Sequence, residues 1–258
     1  MEKENRQTRR IAIFVRPGGI DTLTADGVAM TDASIKVDPS VVAISKILEE
    51  AVYLTPELLG DFTSTEIIAD SRRFIIVPDS VADDSESLAA MAAMLWPDVA
   101  PEELTVDHTD RGCAIVSVID PALTGFARRT FQNVVVHHRL AALVNFFAGL
   151  SRPVNKVKLY ARLAADRVDI VALTADGLLM ANSFDCHDDA DAFYFIMACV
   201  KDCGFDVLDD ELLLTGDAEM CERLTPTLRK YVNSVMPLLL PTDVGRRRLE
   251  LNILQSCE

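Results

Sequence analysis

Basic residues are scarce in this sequence: 25 lysines and arginines stand against 40 aspartates and glutamates, a formal net charge of -15. Such a charge repels phosphate backbones and anionic membrane surfaces, so nucleic-acid reading and polyanion binding are not expected. Long apolar runs are also missing, and the polar start Met1–Arg10 lacks the apolar core of a secretion signal. Membrane insertion is therefore not expected, and a soluble cytoplasmic protein is. No CxxC pair occurs among the six cysteines Cys113, Cys186, Cys199, Cys203, Cys221 and Cys257. They read as reduced, mostly structural thiols, which argues against a disulfide scaffold or a cysteine-rich metal site.

What the chain has in quantity is apolar residues, 50% of 258, enough to bury one large core or two smaller ones. Ile11–Val15 reads as a strand, Arg16-Pro17-Gly18-Gly19 as a turn and Ile20–Ala25 as a second strand. Asp26-Gly27 is a further turn into a third strand, 28–37, so the chain opens as an antiparallel meander. Pro39-Ser40 opens a helical pattern with Val41, Val42, Ile44, Ile47, Leu48 and Val52 on one face. The pattern loosens from Phe62 until a short strand over 73–79. A helix is expected from Glu86 to about Trp96, with strands at 104–106 and 114–118, a helix over 121–130, a strand over 133–136 and a helix over 138–150. Ser151-Arg152-Pro153 breaks that helix and marks the expected domain boundary, giving a polar tail 1–10, a first half 11–152 and a second half 153–258.

The pattern then begins again. Leu23-Thr24-Ala25-Asp26-Gly27 recurs as Leu173-Thr174-Ala175-Asp176-Gly177, 150 residues on, and Met30 matches Met180 at the same distance. Strands over 157–163, 168–173 and 178–184 and a helix over 188–203 surround the later copy. Then comes Leu212-Leu213-Leu214-Thr215-Gly216-Asp217-Ala218, a buried strand stopping at glycine before a helix, and a last strand over 235–240. The same order of hairpin, third strand, helix and buried strand follows both copies, which points to an internal duplication.

Two such halves are similar to the duplicated ribonuclease-H-like, actin-like ATPase fold, an α/β architecture shared by actin, sugar kinases and heat-shock chaperone ATPases. The Leu212 stretch resembles the adenosine loop of that fold, usually several apolar residues, then Thr or Ser, Gly, Gly; here Asp217 takes the second glycine's place. Val134-Val135-Val136-His137-His138-Arg139-Leu140-Ala141-Ala142-Leu143 looks like the close of the first half in pilus-assembly relatives. The resemblance is to the small actin-like proteins of pilus and secretion assembly, and to an uncharacterised Bacteroidetes family of about this size with an actin-like ATPase fold.

The resemblance implies a nucleotide cleft between two phosphate loops, each with Asp ending a first strand and Gly two residues later. The aspartates hold Mg²⁺, and the glycines let backbone N–H groups approach the phosphates. The corresponding residues are Arg16, Gly18 and Gly19 in one loop, Arg162 in the other, and Thr215, Gly216 and Asp217 in the adenosine loop. Arginine has no lone pair for a cation, and the second loop, Arg162-Leu163-Ala164, offers neither Asp nor Gly, so no catalytic or metal residue is assigned. Asp21, Asp166 and Asp169 are the carboxylates that could restore a metal site.

Elsewhere, His137-His138 reads as one packed and one exposed imidazole, Asp185-Cys186-His187-Asp188-Asp189 as a helix cap rather than a zinc site, and Cys199 with Cys203 as packed thiols. Gly245-Arg246-Arg247-Arg248 is the one basic cluster. The expected function is a catalytically inactive actin-like module that binds another protein, with no cofactor. The alternatives are a divergent ATP-binding ATPase or kinase, and a self-associating structural subunit.

Overall fold

The computed structural model describes residues 9–27, 29–151, 156–241, 244–245 and 248–255. Its elements run β1 (Arg9–Arg16), β2 (Gly19–Asp26), β3 (Ala29–Lys36), α1 (Ile44–Leu54), β4 (Ser64–Ala69), β5 (Phe74–Pro78), α2 (Asp79–Ala82), α3 (Ser85–Leu95), β6 (Leu104–His108) and β7 (Cys113–Val118). They continue with α4 (Pro121–Thr130), β8 (Val134–His138), α5 (Arg139–Leu150), β9 (Lys158–Ala164), β10 (Arg167–Leu173), β11 (Leu178–Asp185), α6 (Asp189–Asp202), β12 (Glu211–Gly216), α7 (Ala218–Leu228) and β13 (Ser234–Pro237).

The chain divides into a first unit, Met1–His108, Ala114–Ala142 and Asp243–Glu258, and a second, Thr109–Cys113 and Leu143–Thr242. The division departs from the boundary read at Ser151-Arg152-Pro153. It falls inside α5, and the end of the chain returns to the first unit. Apolar periodicity marks where a helix exists, not which core its two ends join. Arg152 and Pro153 lie outside the described residues, as do most of the polar tail, Val28 of the expected third strand, Arg246, Arg247 and Cys257.

In the first unit the main sheet has the order β3-β2-β1-β4-β8. The first three strands form an antiparallel meander, while β4 lies parallel to β1 and β8 parallel to β4. Alternation along β1 sends Ile11, Ile13 and Val15 to one face, against Ile47, Leu48 and Ala51 of α1 and Leu123 and Ala127 of α4. Ala12 and Phe14 face the other way and meet Leu251 and Leu254 of a 3-10 segment, Leu249–Gln255. A separate three-stranded sheet, β5-β7-β6, has its own core around Val77, Ala114 and Val116, against which Leu88, Met91 and Trp96 pack.

The second unit repeats the main-sheet plan, with order β11-β10-β9-β12-β13 and the same strand directions. One face packs Leu159, Ala161 and Leu163 with Leu212 and Leu214 against Ile196, Cys199 and Val200 of α6 and Leu224 and Leu228 of α7. Burial pushes the thiol of Cys199 up to about 12 and that of Cys221 to about 11, so these cysteines stay protonated packing groups.

Three segments differ from the sequence reading. β4, the central strand of the first sheet, falls where the pattern loosens, because Ser64-Thr65-Glu66 precedes only three apolar residues. α1 starts at Ile44 and not near Ser40, because Asp38 caps a turn, its Oδ1 accepting from Ser40 N at 2.8 Å. The Leu249–Gln255 segment, which follows the basic cluster 245–248 and for which no element was read, is held by Arg10 Nη2 donating to Leu254 O at 2.8 Å.

Candidate functional site: the two hairpins and the exit from β12

In the first unit Pro17-Gly18 is a two-residue turn that joins Arg16 to its partner Gly19. Gly18 takes φ +80° and its carbonyl accepts from Val37 N at 3.0 Å. A Cβ on Gly19 would stand 2.1 Å from Ile35 O, so this glycine lets β2 and β3 close. Both glycines thus have a reason in the hairpin itself. Arg16 binds Asp21 through two bonds, Nε to Oδ2 at 2.6 Å and Nη2 to Oδ1 at 3.0 Å; Nη2 also donates to Ser34 Oγ at 3.1 Å. Arg248 Nε reaches the same Asp21 Oδ2 at 3.2 Å. Burial works to raise the pKa of Asp21. Bonds from Arg16 and Ser34 and the charges of both arginines outweigh it and hold the carboxyl below its ordinary range.

The second hairpin has Ala165-Asp166 as its turn, 148 residues after Pro17-Gly18, and registers Arg162 opposite Asp169 and Asp169 opposite Ser183. The first hairpin registers Phe14 opposite Asp21 and Asp21 opposite Ser34. Asp21 and Asp169 therefore occupy equivalent places, as do Ser34 and Ser183. The guanidinium arrives from different places, Arg162 matching Phe14 and Arg16 matching Ala164. Arg162 Nη1 donates to Asp169 Oδ2 at 3.0 Å and Ser183 Oγ to Asp169 Oδ1 at 2.7 Å, with Asp169 0% exposed. The Leu-Thr-Ala-Asp-Gly repeat stands at the same strand-to-strand turn in each unit, but the later copy is two residues further from its first hairpin. Sheet topology, not that motif, aligns the units best.

Of the three carboxylates read as possible replacements in a metal site, Asp21 and Asp169 are occupied by guanidinium groups. Asp166 is 76% exposed, with Arg167 Nε at 3.6 Å. Thr215 and Gly216 end β12 beside Arg162 and Leu163 of β9. Gly216 has φ +99°, and Asp217, the α7 N-cap, accepts from Met220 N at 2.9 Å while its own N–H donates to Leu163 O at 2.9 Å. Replacing this cap by alanine, Asp217→Ala, is expected to cost about 1 kcal/mol in urea unfolding, whereas Asp217→Gly costs only a few tenths. The N-termini of α6 and α7 flank a cavity of about 600 Å³ lined by Ala165, His187, Asp188, Asp217, Met220 and Arg223. Two of its carboxylates are engaged, Asp188 capping α6 and Asp189 taking two bonds from Arg223 at 2.7 and 3.1 Å, while Glu219 is exposed. Among the described residues no group of three His, Cys, Asp or Glu side chains is placed to hold a metal ion.

The two histidines depart from the reading of one packed and one exposed ring. His138 is 1% exposed and donates from Nε2 to Ser71 O at 3.0 Å, and burial lowers its pKa. His137 is flanked by two carboxylates, Asp107 and Glu66. Sequence reasoning missed both partners, since residues 71 and 30 positions from His137 leave no local signal.

Two units, each with an antiparallel meander extended by parallel strands, define an actin-like ATPase fold. A Bacteroides thetaiotaomicron protein described as having that fold and unknown function matches with a TM-score of 0.80, 22% identity, and coverage of 100% of this chain and 99% of its own. The PilM–PilN type IV pilus biogenesis complex contains a chain matching at TM-score 0.61 and 14% identity, over 96% of this chain and 98% of that one. Residues 18–235 match the family described as Protein of unknown function (DUF3822), and the chain belongs to that family. No curated protein sequence matches significantly. Among the described residues no helix is long and apolar enough to cross a membrane.

Proposed function

We propose that this protein is an actin-like module that has exchanged nucleotide hydrolysis for protein binding. The observation that carries the reading is that the hairpin carboxylates Asp21 and Asp169 each bind an arginine of the preceding strand. A carboxylate engaged by a guanidinium has its lone pairs directed at N–H groups, and seating Mg²⁺ there requires breaking a charge-assisted pair. Asp217 adds negative charge beside Gly216, where the fold's nucleotide loop would carry a second glycine. Gly18, Gly19 and Gly216 are accounted for by turn and strand geometry, so their presence does not argue for phosphate binding. The likeness in fold to a chain of a pilus biogenesis complex supports a role exercised through a protein partner.

Calorimetry with ATP and Mg²⁺, together with a phosphate-release assay, tests this. The expected result is no Mg²⁺-dependent heat and no release. Turnover that disappears in Gly18→Ala, a substitution whose new Cβ meets nothing within 4 Å beyond its own chain neighbours, would overturn it. The cavity of about 600 Å³ beside Asp217 and Met220 favours a second reading, in which a nucleoside binds without a metal; heat with adenosine that needs no Mg²⁺ is its signature.

A further inference from the structure

His137 lies at the junction between two sheets of the first unit. Its Nε2 stands 2.8 Å from Glu66 Oε2 of β4, in the main sheet, and its Nδ1 stands 2.7 Å from Asp107 Oδ1 of β6, in the β5-β7-β6 sheet. The imidazole is 20% exposed and the two carboxylates 15% and 5%. A neutral imidazole carries one N–H. It can donate to only one of these carboxylates and must turn a lone pair on the other. With both carboxylates ionised, both bonds exist together only when the ring carries two protons.

The rest of the junction depends on the same aspartate. Asp107 Oδ2 accepts from His138 N at 2.8 Å, so one carboxylate anchors β6 to two successive residues of β8. The charged and titratable groups around His137 are Glu66 of β4, Asp107 of β6 and, on its own strand, His138. Asp70 and Arg139 act in turn on His138.

We propose that His137 is a proton-dependent latch that holds β6, and with it the β5-β7-β6 sheet, against β4 and β8. Loss of one ring proton leaves a carboxylate facing a lone pair and loosens that attachment while the main-sheet core of the unit stays folded. Burial opposes the charge on His137, but the bonds its ring donates to both carboxylates, and their charges, prevail and raise its pKa to about 9. A raised pKa stabilises the folded state below the unfolded value of about 6.5, and the contribution is lost as pH climbs toward 9. The latch is closed at neutral pH and opens in alkali. It does not depend on the reading of the nucleotide loops.

The single tryptophan, Trp96, packs on the core of the β5-β7-β6 sheet and gives that sheet its own optical reporter. Urea unfolding is followed by Trp96 fluorescence and by far-UV circular dichroism at pH 7 and pH 9.5. Coincident transitions are expected at pH 7, with the Trp96 midpoint falling on the order of 1 M below the dichroism midpoint at pH 9.5. His137→Gln should separate the two transitions already at pH 7. Asp107→Asn supplies an amide N–H for Nδ1 and a carbonyl for His138 N, so a neutral ring completes the network. This variant should keep the transitions together at both pH values. Transitions that coincide at both pH values in the wild type overturn the latch, as does an Asp107→Asn variant with the same alkaline separation as the wild type. Should His137→Gln not fold, these two comparisons decide.

Discussion

Asp169→Ala is expected to lower the stability of the protein by about 3–5 kcal/mol, the cost of breaking a buried ion pair by removing one partner. Asp169 has no exposed surface and Arg162 is 7% exposed, so water cannot replace the carboxylate as it would at the surface. The same carboxylate also accepts from Ser183, so the substitution removes the acceptor of two donors. Urea denaturation measures the loss, and a second variant shows its origin. Arg162→Met combined with Asp169→Leu removes both charges and should recover most of the stability, since a buried pair exchanged for apolar side chains is often neutral or stabilising. A double variant no more stable than Asp169→Ala would rule the account out. By contrast, Asp189→Ala breaks a pair whose arginine is 52% exposed and should change little.

Gly216→Ala is expected to cost about 3 kcal/mol or more. The added Cβ would stand 2.1 Å from Leu163 O and 2.9 Å from Leu163 N, both backbone atoms of the neighbouring strand that no rotamer change can move. The φ of +99° adds backbone strain of about 1–3 kcal/mol for any residue with a Cβ. Gly18→Ala is the internal comparison, with φ +80° and open space around the new methyl, and should lose about 1 kcal/mol. Thermal unfolding of the pair separates strain alone from strain with collision; equal losses would show that β12 shifts away from β9 freely. Such a result would also reopen the question of why a glycine stands at this point.

These residues mark what could be read in advance. The hairpin at Pro17-Gly18 and the stop at Gly216 were legible because turns and strand ends depend on residues within a few positions of each other. The arginines at 16 and 162 were legible as departures from the metal-binding pattern. Their partners were only candidates: Asp21 and Asp169 could be named as carboxylates, but not as carboxylates already bound. β4 was not legible, because a strand buried by its neighbours on both sides needs no alternating pattern of its own. Nor was the junction at His137, assembled from β4, β6 and β8.

By itself the sequence determined the order of strands and helices apart from β4 and α2, the repetition of a three-strand meander, the acidic net charge and the absence of aspartate at the ends of two first strands. Each of these follows from local periodicity, turn chemistry or composition. Only the tertiary structure decided which carboxylates meet arginine, which strand forms the centre of the first sheet, that Leu249–Gln255 packs on that sheet, and that Glu66 and Asp107 share one imidazole. Those are contacts between residues far apart in the chain, and they are set by strand register and by the cost of burying an unpaired charge.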